Sequence, residues 1–298
     1  MKSNKQKAYL ALVITSLFWG TTWVVSKIGV EKTPPFEVAS IRQFSGGIIY
    51  VSFFLLFKKL PFPTAKQFRW LFIMAILMFV SSNGIATWAL KYIPSGLAAL
   101  IAALYPLSVV LIEMIVYKNN KISWATFIGL FLGIGGIALV FYDNAFHNHA
   151  EGFWFGVFLS VIAMITWAMA TIFIARKKTE LNPYYATGWQ MLISSFIMFL
   201  IVLISGDHIP INTIPLQTWG ALAYLVAVGS IFAFVAFIYS MKNLEPGIAS
   251  LYAYINPIVA ILVGSLIINE KLTLNILMGS LITLVGVYLV NRSLKTLK

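Results

Sequence analysis

Ten apolar runs, each close to 20 residues long, follow one another along the chain at 8–30, 36–57, 67–90, 96–117, 122–142, 152–175, 184–205, 216–241, 247–268 and 272–291. About 20 apolar residues is the length that carries a helix across the hydrocarbon of a bilayer. In that solvent only helices and closed barrels satisfy their own backbone groups. The expected fold class is therefore an all-α membrane protein with ten transmembrane helices. The content agrees: 60% of the 298 residues are hydrophobic and 10% are charged, against roughly 25% charged in a soluble domain. Cysteine is absent, which leaves no disulfide framework and no thiol chemistry. A net charge of +12 would suggest nucleic acid in a soluble chain, but its placement here says otherwise. Of the 21 Lys and Arg, sixteen fall on one side of the ten runs, four on the other, and Arg42 within a run. Such a bias places both termini in the cytoplasm. The expected location is the cell membrane, the inner one in a Gram-negative organism. Met1 to Lys7 is basic, but the apolar run after it is too long for a cleaved signal and reads as the first span.

The second constraint is a repeat. Pro94-Ser95-Gly96 through Tyr105-Pro106 returns as Glu245-Pro246-Gly247 through Asn256-Pro257, at an offset of 151. Trp19 and Pro35 have mates in Trp167 and Pro183 at offset 148; Gly129 and Gly136 have mates in Gly279 and Gly286 at offset 150. The chain divides into residues 1–146 and 147–298, each with five apolar runs. An odd number of spans makes the second copy enter from the opposite face, so the expected architecture is two inverted five-helix repeats. That plan is typical of transporters, which rock two similar halves about a central site. Pro106 and Pro257 each stand deep in a run and free a carbonyl four residues earlier, of Ala102 and Ala253. Both are expected to act as gating points.

These residues resemble a known family. Phe18-Trp19-Gly20-Thr21-Thr22-Trp23, Lys27, Pro34-Pro35, Arg42, the Gly…Pro helices and the Asn269-Glu270-Lys271 turn are similar to the EamA family of the drug/metabolite transporter superfamily. The resemblance covers both halves. It implies ten helices with both termini inside, and export or exchange of small metabolites by alternating access. One departure is visible: the acidic residue before the last span, Glu270, has Asn120 as its counterpart in the first half.

Several side chains are candidates for a substrate site. Thr15, Trp19, Thr22 and Ser26 share one face of the first run, and line either a cavity or a helix contact. Arg42 lies about two turns into the second run, where a charge is costly; it either faces substrate or holds the scaffold. Asn83 with Trp88, Tyr105, Gln190, and Tyr252 with Asn256 add amide and aromatic groups, with Trp23 and Trp167 beside them. Such a mixture is the usual make-up of a small-molecule pocket. Glu113 is the candidate for coupling to protons or for binding a substrate amine, or else an interfacial carboxylate reaching toward Lys118 or Lys121. Lys27 and Glu31 are expected to form a pair at the outer end of the first span.

Some patterns are set aside. Gly133-Ile134-Gly135-Gly136 imitates a dinucleotide fingerprint, but it lies mid-span with no strand before it, and helix packing accounts for it. His147 and His149 fall in a polar loop without other metal ligands. No ATP-binding loop and no hydrolase motif is present, so no cofactor is expected. The leading reading is a secondary transporter of small metabolites, amino acids or related compounds, with the lipid bilayer and a small-molecule substrate as partners and protons as a candidate coupling ion. The alternatives are an intramembrane enzyme, for which no catalytic cluster assembles, and a structural or receptor subunit.

Overall fold

The computed structural model describes residues 2–117, 124–146, 151–176, 181–244, 248 and 251–296. Among these, every regular element is helical. The helices are α1 (Lys2–Val30), α2 (Pro35–Ser52), α3 (Ala65–Met74), α4 (Ile85–Ala89), α5 (Ser95–Ala102), α6 (Tyr105–Tyr117), α7 (Trp124–Phe146), α8 (Phe153–Arg176), α9 (Pro183–Ser205), α10 (Leu216–Tyr224), α11 (Ala233–Asn243), α12 (Tyr252–Ile268) and α13 (Leu274–Thr296). Eight helical stretches are long and apolar enough to cross a membrane, and Tyr252–Ile268 and Leu274–Val290 are shorter apolar helices. Large apolar side chains such as Trp124, Ile115, Leu216 and Leu266 point outward, as lipid-facing groups do.

Local chemistry sets many of the boundaries. Pro34 precedes α2 and Pro35 opens it; Pro183 opens α9, whose cap Asn182 accepts from the N–H groups of Tyr184 and Tyr185. Pro at the first helical position loses no hydrogen bond. Thr64 and Gln67 form a reciprocal capping box before α3. Replacing Thr64 by Ala should lower stability by about 1 kcal/mol, read as a small downward shift in melting temperature without loss of expression.

The third and eighth apolar runs are not uniform helices. α3 and α4 are joined by a π-helical segment, Ala75–Gly84, and α10 and α11 by another, Leu225–Phe232. The two segments stand at equivalent places in the two halves, about 150 residues apart. Wide turns of this kind disturb the regular backbone ladder and concentrate at functional sites.

The packing is reciprocal between the halves. α2 lies along α9, and α7 along α13. α1 packs against α10, α11 and α12, while α8 packs against α4, α5, α6 and the first π segment. A methyl group on Gly129 would strike the Gly286 carbonyl, and one on Gly136 the Gly279 carbonyl. These pairs run in opposite directions along the two helices, so α7 and α13 cross antiparallel at backbone contact. Ser40 Oγ of α2 donates to the Ser195 carbonyl of α9 at 2.9 Å, and Gly47 meets Gly188 and Leu192, which is again an antiparallel crossing.

The two proline helices differ. In the first half the helix stops: Ala103 and Leu104 form a turn, and Pro106 is the second residue of α6. The expectation of a proline inside a kinked helix is corrected there, because a break just upstream places the proline where its missing N–H disturbs least. In the second half Pro257 does lie inside α12, and the turn is at Leu251. Gly247, His147, His149, Lys118, Lys121 and Asn120 lie outside the described residues.

Candidate functional site

A partly open cavity of about 170 Å³ lies between the halves. It is built from α1, α2, α5, α6, α8, α12 and the segments around both π-helical runs. Nine of the twelve candidate side chains line it: Trp19, Thr22, Trp23, Arg42, Asn83, Tyr105, Trp167, Tyr252 and Asn256.

One wall is aromatic. Trp19 stacks edge-on to Phe234 at 5.0 Å and to Tyr252 at 5.4 Å between ring centres, with Phe237 at 4.8 Å. The Trp19 indole N–H donates to the Gly229 carbonyl at 3.1 Å. That bond crosses from α1 to the second π segment and fixes the ring face toward the space. Tyr105 and Trp167 interact with the Tyr252 hydroxyl. The Asn256 amide, turned so that both its atoms are satisfied, donates to the Ser16 carbonyl at 2.7 Å and the Tyr252 carbonyl at 3.1 Å.

The polar wall centres on Arg42, 6% exposed. Its Nε donates to Ser230 Oγ of the second π segment at 3.0 Å, and Gly229 leaves the room its guanidinium occupies. Its remaining N–H groups have no partner among the described residues. Nearby, Gln43 Nε2 donates to Asn83 Oδ1 at 2.9 Å, which leaves the Asn83 amide N–H groups free of that bond. Thr87 Oγ1 donates to the Asn83 carbonyl at 2.8 Å. Ser160 lines the cavity with a buried hydroxyl that has no hydrogen-bond partner.

Three candidates stand elsewhere. Thr15 is fully buried and donates back to the Ala11 carbonyl at 2.9 Å, a helix contact. Trp88 turns away to pack on Phe155 at 5.2 Å and Phe36 at 5.6 Å. Gln190 is buried in α9 outside the lining. The Glu113 side chain lies outside what the structure describes. Sequence reasoning missed the small-residue wall of Ala98, Ala99, Ala102 and Ala103, and Met78, Phe79, Ser82 and Ser160. The wall carries no chemistry to flag; only its place between Gly96 and Pro106 gives it away.

The non-cytoplasmic end, in the orientation expected from the charge bias, is held by charges. Asn269 adopts φ +53 at the end of α12, a left-handed turn that Asn tolerates. The turn delivers Glu270 to the N-terminus of α5. Glu270 accepts from Ser95 N at 2.6 Å, Ser95 Oγ at 2.9 Å and Gly96 N at 3.3 Å. Gly264 leaves the space for that carboxylate. The Lys27 Nζ donates to the carbonyls of Leu90 at 3.0 Å and Ile93 at 2.7 Å. The expected Lys27–Glu31 pair is replaced by this bond to carbonyls, because the loop after α4 brings three-dimensional partners closer than the helix does. On the same side Glu37, buried in the first turn of α2, meets His208 Nδ1 at 3.0 Å and accepts from Ile209 N at 3.2 Å. No cluster of three metal-ligating side chains occurs among the described residues.

The comparisons with known proteins agree with each other. The model of the EamA-like transporter family matches twice, over residues 6–142 and 154–292. The uncharacterized inner membrane transporter YedA of Escherichia coli is 30% identical over 88% of this chain and 83% of its own. An uncharacterized transporter of Synechocystis is 30% identical over 95% of this chain and 89% of its own. A solved crystal structure shares the fold, with a TM-score of 0.66 at 17% identity, covering 98% of this chain and 99% of the other.

Proposed function

Because this chain belongs to the EamA-like transporter family and is a multi-pass membrane protein, we propose that it is a secondary transporter that moves small metabolites, amino acids or related compounds among them, by alternating access without ATP. The observation that carries this reading is a partly open cavity between the two halves, walled by aromatic, amide and guanidinium groups. Such a pocket suits a small solute, with apolar walls for the body and few polar groups for orientation.

The architecture behind it is two five-helix repeats, residues 1–146 and 147–298, ten spans in all, with both termini in the cytoplasm and the second copy inverted. Antiparallel crossing of the repeat-mates α7 and α13 supports inversion, and the matched π segments support equivalence. The cavity lies where the halves meet. Rocking one half against the other exposes it to each side in turn. The helix break at Ala103–Leu104 before Pro106, and Pro257 in α12, are the points where bending is cheapest. Replacing Pro257 by Ala is expected to restore one helical bond and to slow turnover with little loss of melting temperature; unchanged transport would remove it from the gate. Export as the direction, and protons as the coupling ion through Glu113, belong to the same proposal.

Natural absence of cysteine makes the test direct. Ser26 and Ala253 line the cavity toward opposite ends of their helices. In a Ser26→Cys, Ala253→Cys double variant, a bulky impermeant thiol reagent applied from outside should modify the first site and suppress labelling of the second from inside. Full labelling of both at once would mean a continuous pore, and the reading would fail.

A further inference from the structure

We propose that the cavity is an anion site whose ligand is an organic monocarboxylate with an apolar or aromatic body, bound through Arg42; the inference rests on the cavity being the ligand site.

Arg42 is the one charged side chain in the described lining, and no Asp or Glu stands with it there. Among the described residues its one hydrogen-bond partner is the neutral hydroxyl of Ser230, reached through Nε. An arginine stays protonated and offers five donors in a planar fork. Buried at membrane depth beside a neutral partner, that charge lacks compensation. A scaffold role would direct the fork at backbone carbonyls, as Lys27 does with Leu90 and Ile93. Arg42, which lines the cavity, has no carbonyl partner of that kind among the described residues.

The neighbours point the same way. Gln43 occupies the Asn83 carbonyl oxygen, so the amide presents donors. Ser160 of α8, in the same lining, carries a buried hydroxyl with no hydrogen-bond partner. A carboxylate has two oxygens for such donors and pairs with a guanidinium bidentately. An ammonium would find the guanidinium, which repels it, and no carboxylate among the described lining residues. A single positive group matches a single negative one. The rest of the wall, Trp19, Trp167, Phe234 and Tyr252, accepts a flat or branched apolar body. The volume is on the order of six waters, which fits a small solute.

Repeat symmetry does not demand the charge. The mate of Arg42 is Gln190, at the equivalent depth of the other half. The membrane therefore tolerates an uncharged amide at that level, which makes Arg42→Gln a conservative probe of the fold.

The test measures binding on purified protein in detergent with three ligands of one body: 3-phenylpropionate, 3-phenylpropanamide and 3-phenylpropylamine. Affinity is read by quenching of the cavity tryptophans and by thermal shift. The carboxylate is expected to bind at least tenfold more tightly than the amide, and the amine more weakly than either. Arg42→Gln should remove the carboxylate's advantage while the melting temperature without ligand stays near the parent value; Arg42→Lys should keep the preference at lower affinity. An amine that binds as well as the acid would overturn the proposal. So would a carboxylate advantage that survives in Arg42→Gln, or the absence of any shift across carboxylates from acetate to indole-3-acetate. If Arg42→Gln does not fold, the charge preference of the parent protein and of Arg42→Lys decides. Arg42-dependent binding with no flux in liposomes would leave the anion site standing and remove the transport reading; flux of the amine in place of the acid would do the reverse.

Discussion

Replacing Gly136 by Leu should prevent the two halves from closing on each other. A side chain at this position meets the Gly279 carbonyl and the backbone of Thr283, neither of which can step aside. The collision recurs from the other helix: Gly279 faces the Gly136 carbonyl, and Gly286 faces Gly129 and Gly133. Small residues let helix backbones approach in lipid, where dispersion and short contacts replace the hydrophobic effect as the driving force. Filling a close-packed contact with extra methylenes costs about 1–3 kcal/mol, and more where backbone is the obstacle. Four side-chain carbons against fixed backbone place Gly136→Leu above that range. The expected result is loss of folded protein on size-exclusion chromatography, with Gly136→Ala retaining a folded but less stable species. Gly135, next in sequence, has nothing near its missing side chain. Gly135→Leu should therefore be tolerated. Equal damage from both substitutions would remove the packing argument.

The second large effect is expected at Glu270. Its carboxylate accepts three hydrogen bonds at the N-terminus of α5, where unpaired N–H groups and the helix dipole favour a negative charge. Glu270→Ala would orphan those donors in a part-buried place. Charge-assisted bonds contribute about 1.5–3 kcal/mol apiece when singly removed, and they are not additive, so about 3 kcal/mol is a reasonable total. This clasp joins the loop after α12 to the first half. Losing it should lower the melting temperature by several degrees and also loosen the outer end of the cavity. A Ser26→Cys reporter should then be labelled faster from outside in Glu270→Ala than in the parent. Glu270→Gln, which keeps one acceptor oxygen, should fall between. An unchanged labelling rate with lowered stability would make Glu270 a fold determinant without a part in closure.

Much of this was legible in the sequence because lipid imposes strong rules. The apolar runs follow from the need to satisfy backbone groups in hydrocarbon, and the glycines of α7 and α13 recur at one offset. The polar stripe of α1 pointed to Trp19 and Thr22, and helix phase pointed to Asn83, Tyr252 and Asn256. Phase is also where the reading failed. Trp88 follows the π segment Ala75–Gly84, whose wider turn changes the face that later residues present; the ring turns to Phe155 instead of inward. A π turn has no distinct residue code in the ten residues of Ala75–Gly84 or the eight of Leu225–Phe232, so neither segment could be anticipated. Thr15 belongs to the right stripe but bonds to its own helix, an option open to any buried threonine. The helix break before Pro106 was placed at the proline, where in fact the turn lies at Ala103–Leu104. Glu270 looked like a loop residue, since its partners are 174 and 175 positions away.

The most direct test of a transporter is solute movement without nucleotide. Purified protein would be placed in liposomes loaded with a defined mixture of amino acids, organic acids and amines, with no ATP on either side. The external solution would then be followed by mass spectrometry against protein-free liposomes. Release of particular members of the mixture, chemically unchanged and faster than from the control, is the predicted result. Release equal to the control for every member, or appearance of new compounds in place of the loaded ones, would contradict it.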